Sequence, residues 1–296
     1  MNLYQTIMTS LGAGAPVLLA TTGEIVAERA GVVNLSLEGV MLCGALTAAA
    51  CQLATGNPWI GIVAAAAVGA VAGTAHAAAV TILRLNMTAT GLCLFFVLKG
   101  LSAYLGQPLA SVPLIRTPTA QASTDLLSAS VVAMSLGFSA AAWVLLYRTR
   151  PGLLMRAAGE DAAAARSLGL PVRAVTLIAT AAGAALAAIG GAFIVLVFSR
   201  TWVEGVTGGR GWVSIGLVIV ARWNPLLAVP ASLLFGAIAA VQLEFQAAGV
   251  GVSPYLLSAL PYLVALAVLF GAHWRARRAA MPAELSRTEE DDRNAL

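Results

Sequence analysis

Residues 23–44 read GEIVAERAGVVNLSLEGVMLCG. Glu24, Glu28, Arg29, Asn34, Ser36 and Glu38 stand between two apolar runs, in a chain of which only 10% is charged. Gly31 frees the backbone to leave helical geometry, and Asn34 suits the cap of a new helix starting at Leu35. Glu38 then falls in the first turn, where a carboxylate meets the positive end of the helix dipole. The stretch predicts a helix broken at membrane depth, where irregular backbone is tolerated only against protein or a water-filled cavity. Glu24, Glu28 and Arg29 read instead as an ordinary polar loop at the membrane interface.

The membrane is implied by composition. Hydrophobic residues make up 59% of the 296 and mean hydropathy is +0.88, too little polar material to cover a water-soluble globule. A spanning helix needs about 20 mostly apolar residues. About nine such runs can be drawn, at 3–22, 37–54, 59–83, 86–105, 126–147, 172–198, 212–221, 226–245 and 255–272. The expected fold class is an all-α polytopic membrane protein of about 9–10 transmembrane helices, some discontinuous. Residues 1–274 would form one membrane domain and 275–296 a charged, flexible cytoplasmic tail. The first run has no basic residue before it and contains Gly12, Gly14 and Pro16, so it is expected to stay as a helix and not be cleaved as a signal peptide. Cys43, Cys51 and Cys93 lie in apolar runs without metal-ligand spacing and read as packing residues, with no metal site expected.

Arginine placement sets orientation. Arg148, Arg150, Arg156, Arg166 and Arg173 crowd the link after the fifth run, and Arg275, Arg277 and Arg278 follow the last, so both lie in the cytoplasm. Counting back puts Arg84 inside, residues 106–125 outside, and the N-terminus outside. The net charge of +4 belongs to these flanks. No basic stripe interleaved with aromatics suggests nucleic acid.

GVMLCGAL followed by NPWIGIVAAAAVGAVAG (from Gly39) has a faint echo in GWVSIGLV followed by NPLLAVPASLLFGAIAA (from Gly211). The Asn57-Pro58 and Asn224-Pro225 turns are the best part of the match. The two copies would point in opposite directions, as in transporters built from inverted repeats with the solute path at their interface. A second break falls at VEGVTGGRGW, residues 203–212, where four glycines surround Arg210 before a short apolar run. Both breaks are candidates for a translocation path.

The loop RTRPGLLMRAAGEDAAAARSLGLPVR, residues 148–173, predicts a helix over 157–168. Its alanines favour helix, Glu160 and Asp161 would sit at the positive end, Arg166 at the last turn, and Gly169 with Pro171 would stop it. At 1.5 Å per residue it would be a rod of roughly 18 Å.

These motifs, with AHAAAV from Ala75, ARWNPLLAVPASLLFGA from Ala221 and LPYL from Leu260, resemble the permease subunits of ATP-binding-cassette importers. The branch is the one shared by ribose and branched-chain amino acid systems, and within it the nucleoside type. The resemblance covers nearly the whole chain. It implies a multi-pass subunit of the bacterial inner membrane that imports a nucleoside or purine-like solute, the alternative being a simple sugar such as ribose. It implies a separate ATPase carrying ATP and Mg, a second and paralogous permease subunit, and a periplasmic or lipid-anchored binding protein, besides membrane lipid; the chain itself needs no cofactor. The loop helix becomes a coupling helix for the ATPase, with Arg156, Glu160, Asp161 and Arg166 as contacts. The solute path is expected to include Asn34, Ser36, Glu38, Thr88, Phe95, Arg210, Trp212 and Ser214. One departure touches the substrate: nucleoside-type permeases tend to read like SGLALN where this chain reads TGLCLF, with Phe95 in place of an asparagine. A ring stacks on a base but recognises no sugar hydroxyl.

His76, on an alanine-rich helix, reads as a hydrogen-bonded packing residue and Lys99 as a snorkelling one. Glu244 is a lone carboxylate near a helix end. An ion-coupled secondary transporter would also have broken helices, but Glu38 is the one good mid-membrane candidate for an ion site. No nucleophile-base or metal constellation suggests an enzyme, and without a G-x-x-x-x-G-K-[ST] loop the chain is not its own ATPase.

Overall fold

A computed structural model of the chain describes residues 3–115, 118–247, 253, 256, 259–264, 266–267 and 282–283. Among the described residues ten α-helices follow in order: α1 (Leu3–Glu28), α2 (Leu37–Thr55), α3 (Pro58–Thr81), α4 (Met87–Gly106), α5 (Pro118–Arg148), α6 (Arg150–Glu160), α7 (Ala162–Ser167), α8 (Val172–Phe193), α9 (Arg210–Val220) and α10 (Pro225–Ala247). Seven of them, all but α6, α7 and α9, are long and apolar enough to cross a membrane. The all-α polytopic architecture is thus as expected. The ninth apolar run and the tail fall mostly outside the described residues. α1 extends six residues beyond its run, to Glu28, while α8 gives way to a π-helical turn, Ile194–Ser199.

The Asn-Pro turns are the same structure twice. Asn57 caps α3 by accepting from the Trp59 amide at 3.0 Å, and Asn224 accepts from the Leu226 amide at the start of α10, also at 3.0 Å. The preceding residue is left-handed in both, Gly56 at φ 68° and Trp223 at φ 54°. For a tryptophan that conformation costs roughly 1–2 kcal/mol, so surrounding contacts must hold it.

Packing repeats in the same way. α1 and α8 cross where Gly23 and Gly183 meet, each lying against the other's carbonyl so that neither leaves space for a Cβ. Pro16 of α1 meets Gly190 of α8, which makes the pair antiparallel. α3 packs on α8 through Gly69 and Gly73, and α10 packs on α1 through Gly236 beside Gly14. Exchanging α1 with α8 and α3 with α10 therefore reproduces the arrangement, with equivalent helices running in opposite directions. This is the inverted repeat that the echo suggested.

Arginines gather at one end. Gly159 of α6 packs on the backbone of Arg29, and Arg84, Arg166 and Arg173 line one cavity. By the positive-inside rule this end is cytoplasmic, so α1 runs inward and α8 outward. At the other end Trp202, after α8, is buried under Gly106 of α4, and residues 110 and 113 bridge to residues 202 and 201. The outer loop is thus tied to the second break.

The cytoplasmic link corrects the expected rod. Two helices replace one helix over 157–168, separated at Asp161 (φ −156°, ψ 97°). Asp161 caps α7, its carboxylate accepting from the Ala164 amide at 2.8 Å. Glu160 ends α6, at the negative pole instead of the positive one, and its carboxylate accepts from the Ala283 amide at 3.4 Å. Gly159 lies directly on the Arg29 carbonyl, which fixes where α6 stops and leaves the aspartate to start a new helix.

Candidate functional site

The two helix breaks meet. Glu38, in the first turn of α2, reaches the start of α9: one carboxylate oxygen accepts from the Thr207 hydroxyl at 2.5 Å and the Gly209 amide at 2.8 Å, the other from the Gly211 amide at 2.7 Å. The carboxylate therefore satisfies amides that open α9, where the helix dipole also favours a negative charge. Arg210 folds back to donate to the Thr207 carbonyl at 3.2 Å, and Tyr262 donates its hydroxyl to the Gly208 carbonyl.

This seam lies deep in the membrane. Gly39 packs against Phe95 of α4, and at 1.5 Å per residue Phe95 is about 12 Å above the start of that helix at Met87. α9 has 11 residues, roughly 16 Å, half of a hydrocarbon core about 30 Å thick. Beside the seam Phe95 and Trp212 form an edge-to-face pair, centroids 5.2 Å apart at 75°.

The first break differs in detail from expectation. α2 starts at Leu37, and Asn34 does not cap it. Its side-chain oxygen accepts from the Ser36 amide at 3.1 Å and hydroxyl at 2.5 Å, pinning a tight turn, and Gly31 is left-handed at φ 88°. The Asn34 side-chain amide nitrogen is buried without a partner among the described residues. Glu24, Glu28 and Arg29 are not a surface loop: all three are buried. Glu24 accepts from the Asn34 amide at 2.6 Å. Glu28 accepts from the Trp223 indole, and Arg29 donates to the Trp223 carbonyl at 3.0 Å and the Tyr147 hydroxyl at 3.2 Å. These bonds hold Trp223 in its left-handed turn, so α1 fastens the other repeat's Asn-Pro corner.

Residues 6–272 match the family described as the permease component of the branched-chain amino acid transport system. The chain belongs to this family. A Haloferax volcanii protein named as a glucose ABC transporter permease is 32% identical over 314 residues, covering 92% of this chain and 93% of that one. A nucleoside ABC transporter permease of Lactococcus lactis is 30% identical, covering 80% and 81%, and a guanosine ABC transporter permease of Bacillus subtilis 27%, covering 75% and 76%. No solved structure matches the chain. It is thus an ABC-transporter permease, a multi-pass transport subunit of the cytoplasmic membrane and not an enzyme, with nucleoside-type permeases among its relatives.

Within the permease, Glu38 meets the start of α9, the helix that carries Arg210, Trp212 and Ser214, and Phe95 lies against Trp212, while Asn34 and Ser36 bond to each other in the turn before α2. Ser214 is fully buried, donating to the Arg210 carbonyl at 2.8 Å. Thr88 is exposed in the first turn of α4, and no bond joins it to the seam. Arg156 turns inward, its guanidinium 5.2 Å from the Tyr147 ring centroid, whereas Glu160 and Arg166 are exposed and Asp161 half-buried. His76 packs as expected, a ring nitrogen 3.0 Å from the Val33 carbonyl. Sequence reasoning missed Thr207, Trp223 and Tyr147. Trp223 precedes the second Asn-Pro pair, so the repeat was the signal that pointed to it.

Proposed function

We propose that the permease carries a nucleoside or purine-like compound into the cytoplasm by alternating access, as one of two paralogous membrane subunits of an ATP-driven importer. The observation that carries this is the Phe95–Trp212 pair at mid-depth beside the Glu38 seam. Aromatic rings offer stacking surface to a planar base, and Trp212 is 37% exposed. Glu38 and Arg210 supply polar groups beside those rings, with Asn34 and Ser36 in the turn before α2 and Ser214 in α9, and the Asn34 side-chain nitrogen is a donor without a partner among the described residues. Contacts along such a path are weak, because a pore that binds tightly releases slowly. The relatives named for nucleoside and guanosine transport support this solute class. The relative named for glucose favours a second reading, a simple sugar, since a tryptophan face also packs against sugar carbons.

In this scheme a binding protein, periplasmic or lipid-anchored, delivers the solute outside. A separate ATPase with ATP and Mg docks on α6 and α7 at Glu160 and Asp161. In proteoliposomes holding the complete assembly, labelled guanosine and adenosine are expected to accumulate only with ATP on the ATPase side, while glucose and ribose do not compete. Glucose or ribose uptake in their place selects the sugar reading. Uptake without ATP that follows an imposed proton or sodium gradient overturns both.

A further inference from the structure

Two cavities adjoin at the turn between α3 and α4. The first, about 730 Å³, lies at the cytoplasmic end between Arg84, Arg166 and Arg173, with Gly31 of the first break and Thr176 of α8 in its wall. The three arginine side chains are exposed, and none makes a hydrogen bond or ion pair to another described residue. The second, about 500 Å³, shares Leu85 and Asn86 with the first and follows the groove between α3 and α4 past Ala79 and Ala89 to Val97. It is apolar but for Asn86, His76, Thr90 and Cys93. From Asn86 to Val97 it rises roughly 16 Å into the membrane.

The chemistry of the pair is that of one amphipathic ligand. Three guanidinium groups around one cavity repel one another until an anion with several acceptor oxygens sits among them, and guanidinium geometry suits phosphate. A free phosphate would fill the first cavity and leave the groove beside it empty. A phosphate that carries hydrocarbon fills both, and basic pockets between helices on the cytoplasmic side are where anionic headgroups bind. We infer that this composite cavity binds an acidic phospholipid of the cytoplasmic leaflet, its phosphate among Arg84, Arg166 and Arg173 and one acyl chain between α3 and α4. Because Arg166 belongs to α7 and Arg173 to the start of α8, the bound headgroup ties the cytoplasmic link to the leaflet. The inference rests on the fold and its orientation, and is independent of which solute is carried.

The test uses the full chain with its co-purifying partners in mild detergent, delipidated and examined by native mass spectrometry. Phosphatidylglycerol, phosphatidylcholine and glycerol 3-phosphate are the added probes. One phosphatidylglycerol per chain is expected to be retained where phosphatidylcholine is not. The double variant Arg84→Gln/Arg173→Gln is expected to lose about tenfold or more of that retention, while Arg84→Lys keeps most of it. Ala89→Phe, which fills the groove, is expected to weaken phosphatidylglycerol and leave glycerol 3-phosphate unchanged; this variant decides the matter should the arginine pair fail to fold. Equal retention of the two lipids, or retention indifferent to both changes, overturns the site. Glycerol 3-phosphate held as firmly as phosphatidylglycerol makes it a soluble-phosphate site and overturns the lipid assignment.

Discussion

Glu38 carries three hydrogen bonds across the seam, so its replacements should rank by how many they keep. Glu38→Ala leaves the buried Thr207 hydroxyl and Gly211 amide and the half-buried Gly209 amide without this acceptor, at about 1–3 kcal/mol for each buried group. Glu38→Gln keeps an acceptor oxygen for part of the set and should fall between alanine and the native residue. Thermal unfolding in detergent checks the order, and an alanine variant as stable as the native protein would show that the carboxylate holds nothing. The sequence made Glu38 legible as a first-turn carboxylate, because position within a helix is local information. Its partner was not legible: periodicity says which face a residue takes, and is silent on what another segment puts opposite. Glu24, Glu28 and Arg29 were misread for the same reason. A charged triplet beside an apolar run resembles an interfacial loop until Trp223, 195 residues from Glu28, supplies the donor that lets it be buried.

The helices on the cytoplasmic side separate two neighbours that the sequence treats alike. Asp161→Lys removes the cap of α7, at about 0.5–2 kcal/mol of local stability. Glu160→Lys places a cation at the negative pole of α6, which favours it by about 0.3–1 kcal/mol. With the membrane fold intact in both, ATPase co-purification is expected to drop further for the aspartate variant, which loses a docking contact and the cap of α7, than for the glutamate one, which loses the contact alone. Equal losses would show that charge, and not the break between α6 and α7, makes the docking surface. The stop at Gly169 and Pro171 was legible from residue type alone. The break at Asp161 was not, because alanines and an acidic pair favour a continuous helix until tertiary contact at Gly159 interrupts it.

For the molecule as a whole, the seam is buried in this conformation and should open in another. With Cys43, Cys51 and Cys93 removed, single cysteines at Asn34, Ser36, Phe95 and Ser214 are expected to resist impermeant thiol reagents in the conformation described, and to react when nucleotide or solute shifts the assembly. A cysteine at Trp212 should label more readily throughout. Four positions inert in every state, beside a loop control that labels, would make the seam mere packing. The inverted repeat could be glimpsed in the two Asn-Pro pairs, but its proof lay in contacts between α1, α8, α3 and α10, which composition cannot report. That exchange of helices also bears on how the chain is made. α1 enters the bilayer first, yet Trp223, the partner of its buried Glu28 and Arg29, lies 194 to 195 residues downstream. At about 5–20 residues per second a ribosome needs on the order of 10–40 s to supply it. Through that interval one carboxylate and a guanidinium wait at the inner mouth of a young helix without their final companions, so biogenesis demands a temporary host for the end of α1, in the insertion machinery or in water at the membrane edge.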